Sequence, residues 1–466
     1  MSNNTTSELI EDHALEPVPN RERRGWLDIS WNTAGIVTTL ASLFAGALVT
    51  FIGGLTIGLL AGGTVAVFGM LLGWGLGHIA YSTGLSSTVM SRHYGFGIKG
   101  SILGSSIFGF MIIGIIGVEN ILLYKGFLFY FSAADTLATR IFIYTALTLM
   151  WVLLTAYGFS SVTRFSSVML LAFLGVLVYM MFVIISQSDY SWNIVFSFDS
   201  QFPHATLEKF DATTDSGKFI ACVNLLMGTA GALAFVDADL GRYARSSRDI
   251  AIAALIGNVF LDIVMVLLGG VIIFAGMPAL IEHYISVAGL TEAAAKESAL
   301  ESPDAIAAAF IVFGGGVGAF LMVAAQAKAQ VLNTYSGALS LANLADVGLS
   351  WRPGRFHFVV LANLLSLLFL YRDLLEWYFD FLVSLGILTT CLASVMLSDY
   401  FVLKRSDRSK AVKTNEQVNW AGVGATTLGF LLAHYALDEW IRLEALTGFV
   451  VTFFVYPLLR KLENRV

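Results

Sequence analysis

From about residue 32 to residue 460 the sequence is a succession of apolar runs, each near twenty residues, separated by short polar stretches. About 20 consecutive apolar residues is the length at which a helix crosses the ~30 Å hydrocarbon core of a bilayer. In that medium every backbone N–H and C=O must be satisfied internally, which leaves helix bundles and closed barrels as the available folds. A transmembrane barrel would alternate apolar and polar residues in segments of about ten. These runs do not alternate, so the expected fold class is an all-α polytopic membrane protein. Composition excludes a soluble protein: 57% of the residues are hydrophobic and 13% charged, with 44 glycines in 466 positions.

Twelve spans are expected near 32–53, 57–81, 101–124, 140–158, 164–187, 217–238, 250–276, 304–332, 356–371, 374–401, 418–437 and 444–460, with only Arg372 and Asp373 separating the ninth from the tenth. Lysine and arginine concentrate on the cytoplasmic side of a membrane. With both termini inside, nineteen basic residues fall inside and seven outside, Lys328 standing apart within a span. Two long outer segments, 188–216 and 277–303, are acidic, and the loop 404–417 is basic. The polar tail 1–30 holds no apolar core and is expected to stay cytoplasmic without a cleaved signal. Helices 11 and 12 occupy 418–460, followed by a cytoplasmic end at 461–466. The expected location is a plasma membrane, the bacterial inner membrane.

Function classes narrow quickly. Cys222 and Cys391 both lie within spans, so neither a disulfide framework nor a metal cluster is expected. Gly314–Gly316 sits in an apolar run with no Lys-Ser/Thr after it, so it is not a phosphate loop. No basic block reads as a nucleic-acid surface, and no enzyme or cofactor motif occurs. The expected partners are the lipid bilayer and a small-molecule substrate, with a proton as candidate coupling ion.

One residue contradicts its surroundings. Lys328 lies in the apolar stretch 305–345, where a charge costs at least ~2.5 kcal/mol unless answered, and such residues mark pathways or binding sites. Glu119, in the third span, is the candidate partner. The first span (Thr33 to Ala47) and the sixth (Leu225 to Val236) both gather Gly, Ser and Thr near mid-membrane. Two broken helices five spans apart suit a five-plus-five inverted repeat, in which half-helix ends meet ions and substrate at the midplane. The halves would be 31–187 and 188–403. Close packing of small residues is the competing explanation.

The segment Phe235 to Asp249, with Asp239, Arg242 and Tyr243, resembles the Asp-x-x-Arg-Tyr/Phe stretch after the sixth helix of the nucleobase–cation symporters, the purine–cytosine permeases and their hydantoin and allantoin relatives. Pro17 to Trp26 is similar to that family's entry segment, and Asn333 to Asn343 to its Asn-x-Tyr-Ser-x-x-Leu stretch. The resemblance implies a LeuT-like fold of two inverted repeats plus two C-terminal helices, with alternating access around a midplane site for a flat heterocycle. Residue by residue, the family's Trp-Phe-Gly-x-Gln corresponds to Ile115 to Glu119, so the stacking Trp is absent and the substrate-facing Gln becomes Glu119. The family's Gln-Trp-Thr-Thr-Asn corresponds to Gln326 to Gln330. The sodium-site Thr pair thus becomes Lys328 and Ala329, and the substrate-binding Asn becomes Gln330.

An ammonium is a donor with no acceptor capacity, so Lys328 removes an oxygen ligand and occupies the region of the lost cation. It would join the eighth helix to the first near Thr38, Thr39 and Ser42 without sodium. A proton-coupling role for Lys328, with Glu119, and a purely structural ammonium bonded to broken-helix carbonyls are both open. At 100° per residue Gln326, Gln330 and Asn333 share one face and Lys328 points away from it. Gln330 and Asn333, together with Gly228, Thr229 and Phe235 of the sixth span, are the candidate substrate residues, with Phe108 and Phe110 as further ring faces. Gln and Asn rows also serve as glue between helices. Glu119 is the sharpest candidate, because a carboxylate accepts two parallel N–H bonds from an amidine-like edge. Asp262 and His78 are expected to be structural.

The expectation is therefore a sodium-independent secondary transporter of a nucleobase or related nitrogen heterocycle. The alternative is an amino-acid, polyamine or guanidinium carrier of the same fold, and after it a channel or a non-transporting receptor.

Overall fold

In the computed structural model, residues 13–156, 159–302, 304–370, 378–403 and 416–463 are described. No strand forms among them. The main helices are α1 (Trp26–Val37), α2 (Leu40–Thr83), α3 (Ser101–Phe131), α4 (Leu137–Ala156), α5 (Phe159–Ser186) and α6 (Asp215–Gly241). After these come α7 (Ser247–Val259 and Met265–Ala288, joined by a π turn over Phe260–Val264), α8 (Ala305–Gly314), α9 (Gly316–Leu349), α10 (Arg355–Ser366), α11 (Tyr378–Leu397), α12 (Trp420–Leu431) and α13 (Glu444–Glu463). Among the described residues eight helical stretches are long and apolar enough to cross a membrane. The Arg372–Asp373 separator, residues 404–415 of the basic loop and tail residues 1–12 lie outside the described residues.

The first expected span is interrupted. α1 ends at Thr38 (φ −91°, ψ 72°), Thr39 is extended, and α2 then starts with the Thr39 hydroxyl accepting the Ser42 N–H at 3.0 Å. A side-chain cap of this kind satisfies one of the orphan donors of a new helix. A straight α2 of 44 residues would reach ~66 Å, about twice a hydrocarbon core. It turns back at Gly54, whose φ of +75° is a conformation glycine adopts without strain. A Cβ on Gly58 would lie 3.1 Å from Thr50 Cγ2, although residues eight apart in a straight helix are ~12 Å apart. The segment around Phe198 and Gln201 is tied onto this reversal: Leu55 N–H donates to Phe198 O at 3.0 Å, and Gln201 N–H to Phe51 O at 2.9 Å.

Three expectations are corrected. The sixth span is not broken, since α6 runs without interruption from Asp215 to Gly241. Its glycines serve packing: a Cβ on Gly228 would collide with the Leu382 carbonyl, and Gly386 would meet Gly228 Cα at 2.8 Å. The acidic segment 277–303 is not an outer loop throughout, because α7 continues to Ala288 across Pro278 and another helix covers Glu292–Glu301. Proline inside a helix removes one hydrogen bond without ending it when packing holds the rest. The stretch 304–332 is not one span either. At Gly315 (φ +50°) the chain turns, α8 lies back against α9, and α9 extends to Leu349.

Helix α6 packs along α2 and α11, α9 along α3 and α5, and α7 along α2. The entry segment joins the loop after α6, Arg24 N–H donating to Tyr243 O and Arg245 N–H to Arg24 O. Arg242, fully buried, donates to the Tyr335 hydroxyl, and Asp239 Oδ1 accepts the Ser87 N–H at 2.8 Å.

Candidate functional site

The break between α1 and α2 opens onto a cavity of about 70 Å³ walled by α3, α6, α7, α9 and α11. Most of its wall is aliphatic. Its polar groups are Thr39, Ser42, Glu119, Thr229 and Asn333. Thr39 and Ser42 share a hydroxyl contact of 3.1 Å, and Thr229 spends its proton on Leu226 O at 2.8 Å. Glu119, 1% exposed, sits by Thr39, Gln326 and the Ala41 backbone, yet its Oε2 has no hydrogen-bond partner. Unpaired buried carboxylate oxygens are costly, so this one is available to a donor entering the cavity.

Behind the break lies Lys328, with no solvent exposure. Its Nζ donates to Gly35 O at 3.1 Å and to Thr38 O, the last carbonyls of α1, and stands 4.3 Å from the Phe173 ring centroid. Carbonyls at a helix C-terminus lack intrahelical partners and carry negative partial charge, so a cation is the fitting group for them. Among the described residues no ion pair within 4.0 Å joins Lys328 to Glu119. Lys328 thus clamps the α1 terminus through backbone carbonyls, while Glu119 acts on it only as a nearby charge.

The Gln/Asn face of α9 divides. Asn333 lines the cavity, whereas Gln326 donates to Glu119 O at 3.1 Å and Gln330 to Ile116 O and Asn120 Oδ1, both at 3.0 Å. Asn120 Oδ1 also accepts Trp151 Nε1–H at 2.8 Å. These bonds fasten α9 to α3 and α4. Phe235 stacks on Phe108 with centroids 5.1 Å apart, Phe110 is exposed, and Gly228 faces α11, so none of them lines the cavity. Thr38 gives its hydroxyl to Ala34 O at 2.8 Å and its carbonyl to Lys328. His78 bonds the Ser247 hydroxyl at 2.8 Å.

Sequence reasoning missed Trp151 and Phe173. An aromatic residue in a membrane helix carries no mark of which polar group it will meet. Ile36, Val37 and Leu382, which close the cavity, were equally silent. Metal-binding groups of three or more His, Cys, Asp or Glu are absent among the described residues.

Residues 17–456 match a family described as permeases for cytosine/purines, uracil, thiamine and allantoin. No curated protein sequence matches the chain at a significant level. Among solved structures, the chain is similar to Mhp1, a nucleobase-cation-symport-1 family transporter, in a closed conformation with bromovinylhydantoin bound. There the TM-score is 0.71 at 16% identity, over 98% of this chain and 96% of the other. The inward-facing conformation of Mhp1 gives 0.71 at 16% identity over 97% and 94%. A substrate-bound, outward-open Na+-coupled sialic acid symporter gives 0.60 at 12% identity over 98% and 93%. At these identities the likeness is one of fold.

Proposed function

The chain belongs to the family of permeases for cytosine/purines, uracil, thiamine and allantoin, and from that premise we propose that it carries a small nitrogen heterocycle with an amidine-like edge by sodium-independent alternating access. It is a membrane transporter and not an enzyme, as are the family and its structural neighbours. The reading includes twelve crossings in a five-plus-five inverted repeat plus two helices, with only the first helix broken. Both termini lie in the cytoplasm, and the membrane is the plasma membrane, the bacterial inner one.

The observation that carries the substrate reading is the unpartnered Glu119 Oε2 on the cavity wall. An aminopyrimidine or guanine edge offers the parallel N–H donors that a carboxylate accepts pairwise. Asn333 and Thr39 stand on the same cavity to take the heterocycle's remaining polar atoms. The sodium reading rests on Lys328, which supplies positive charge to the two carbonyls at the end of α1.

A second reading is favoured by one observation. Phe108 and Phe235 stack on each other, so neither ring lines the cavity, and a guanidinium compound would engage Glu119 without an aromatic face. Thermal unfolding of the purified protein with cytosine, guanine, hydantoin, agmatine and arginine, each in sodium and in choline buffer, separates the readings. A ligand that binds the native state raises the midpoint by mass action. A nucleobase shift of equal size in both salts, lost in Glu119→Gln, is the expected result. Stabilisation by agmatine or arginine alone moves the function to the second reading. A shift that needs sodium overturns sodium independence.

A further inference from the structure

Helix α2 presents a glycine face to α6 and α7, and against it lie side-chain oxygens that nothing satisfies. A Cβ at Gly73 would collide with Asp237 Oδ2, one at Gly69 with Asn258 Oδ1, and one at Gly62 with the Asp262 carbonyl. Asp237, Asn258 and Asp262 are all completely buried. Asp237 Oδ2, Asn258 Oδ1 and both Asp262 carboxyl oxygens have no hydrogen-bond partner. Only Asp237 Oδ1 is contacted, by the Thr33 hydroxyl at 3.4 Å, while Asn258 spends its N–H on Ala254 O at 2.8 Å. Asp262 lies in the π turn of α7, and such turns concentrate at functional sites.

Among the described residues no counter-charge answers these acids. On α1 the neighbour is Thr33, on α2 the glycines, and on α7 Ala254 and Asn258. No charged side chain among the described residues acts on either carboxyl. The titratable groups nearest along these helices are engaged elsewhere. Asp239 takes the Ser87 N–H, Arg242 takes Tyr335, Asp249 caps α7 with Ser246, and His78 bonds Ser247 and lies 3.4 Å from the Tyr400 hydroxyl. Lys328 holds the end of α1, and Glu119 faces the cavity.

A buried carboxylate needs a compensating charge. A metal ion would gather several ligands around itself, and among the described residues no group of three or more His, Cys, Asp or Glu stands here to hold one. A proton needs none. The acids are also wired to the substrate cavity by the chain itself, because Val236 and Leu261, the residues immediately before Asp237 and Asp262, both line it. A shift of that wall on binding or release moves the acids relative to the glycine face and to water.

We propose that Asp237 and Asp262 are the proton-binding residues of this transporter, loaded and unloaded behind the cavity wall, so that substrate movement is coupled to a proton gradient. The coupling, though not the proton binding, rests on the transporter reading above. In each cycle the carboxylate takes H+ from water on one side, carries it as neutral COOH, and returns it to water on the other.

Two measurements test this. Infrared difference spectra of the wild-type protein in lipid, taken across a pH step without ligand, are expected to show a protonated-carboxyl carbonyl band that changes with pH and shifts in D2O. Asp237→Asn and Asp262→Asn each remove part of it. A band unaffected by both substitutions, or absent from the wild type, overturns the proposal without touching the substrate reading. In proteoliposomes, uptake of labelled cytosine or agmatine is then compared with and without an inside-alkaline gradient. At least a fivefold acceleration is expected in the wild type and none in the double Asn variant, while counterflow persists in both. Uptake of either probe that ignores the gradient overturns the coupling. If neither probe is carried, the substrate reading fails and the infrared result alone decides whether the acids bind protons.

Discussion

Replacing Lys328 by Thr converts a fixed cation into an oxygen ligand and tests why the break between α1 and α2 holds its shape. In the wild type the ammonium satisfies Gly35 O and Thr38 O and rests against Phe173. Removing it orphans two buried carbonyls at ~1–3 kcal/mol each and loses a desolvated cation–π contact of about 2 kcal/mol. Against this stands the several kcal/mol no longer spent on burying an ammonium. The balance in sodium-free buffer is a loss on the order of 2 kcal/mol. For 466 residues, at ~2.1 cal/mol/K of unfolding entropy per residue, 1 kcal/mol moves the midpoint by about 1 °C, so a fall of about 2 °C is expected. Sodium at a hundredfold excess over its Kd would return about 2.7 kcal/mol through the vacated carbonyls and the new hydroxyl. The assay is thermal unfolding across a sodium titration at constant ionic strength with choline. The wild type is expected to be indifferent and Lys328→Thr to recover its midpoint. A folded Lys328→Thr protein blind to sodium, or a wild type that responds, refutes the view that this lysine stands in for a cation.

Gly228→Val, which drives a side chain into the Leu382 carbonyl, is expected to abolish the folded monodisperse protein on size-exclusion, whereas Gly63→Ala, with nothing within 4 Å, leaves it intact. Equal behaviour of the two would refute the assigned α6–α11 contact. Asp346 receives Arg92 Nη2 at 2.8 Å and also Arg352, so Asp346→Ala takes the carboxylate from a largely buried guanidinium and leaves it with Asn343 Oδ1. A loss of ~2–4 kcal/mol is expected in the thermal midpoint, and a change below about 0.5 kcal/mol would contradict it. Arg140, in the first turn of α4, binds Asp135 in the turn before it through Nε and Nη2 at 2.6 and 2.8 Å and holds its carboxyl below the usual carboxylate range. A depressed folded value gives stabilisation that is present above the unfolded value near 4 and lost as pH falls through the folded one. Because the pair is exposed, Arg140→Gln should cost under about 1 kcal/mol at pH 6, with the difference shrinking as pH falls below the unfolded value. A difference that grows on acidification contradicts the sign.

The sequence carried the membrane class and pointed to a candidate site, because hydropathy and a charge at bilayer depth obey strong single-residue rules. Lys328 was legible as an anomaly, helical phase turned it away from the Gln/Asn face, and its approach to the first helix near Thr38 was what the family resemblance implied. Its partner was not legible, since an ammonium is satisfied equally by a carboxylate or by helix-end carbonyls, and the latter exist only once the chain breaks at Thr38. Gly-rich composition marked both the first and the sixth spans, yet only the first breaks. Glycine permits an interruption and permits close packing, and the Leu382 backbone against Gly228 decides for packing. Gln330 was legible as a polar face but not as a bond to Asn120, which depends on the angle at which α9 crosses α3. Asp237 drew no notice beside Asp239 because neighbours on a helix point in different directions that only the packing reveals.

The reversal at Gly54 is made without a connecting loop and is fastened by backbone bonds to the segment around Phe198 and Gln201. For anyone mapping sidedness this corner is a poor place for an epitope tag or a protease site: an insertion there would pull apart two helices and the strap laid over them. A tag between His204 and Lys209, in a short and largely exposed helix on the same connecting segment, would report the same side of the membrane and leave the corner closed.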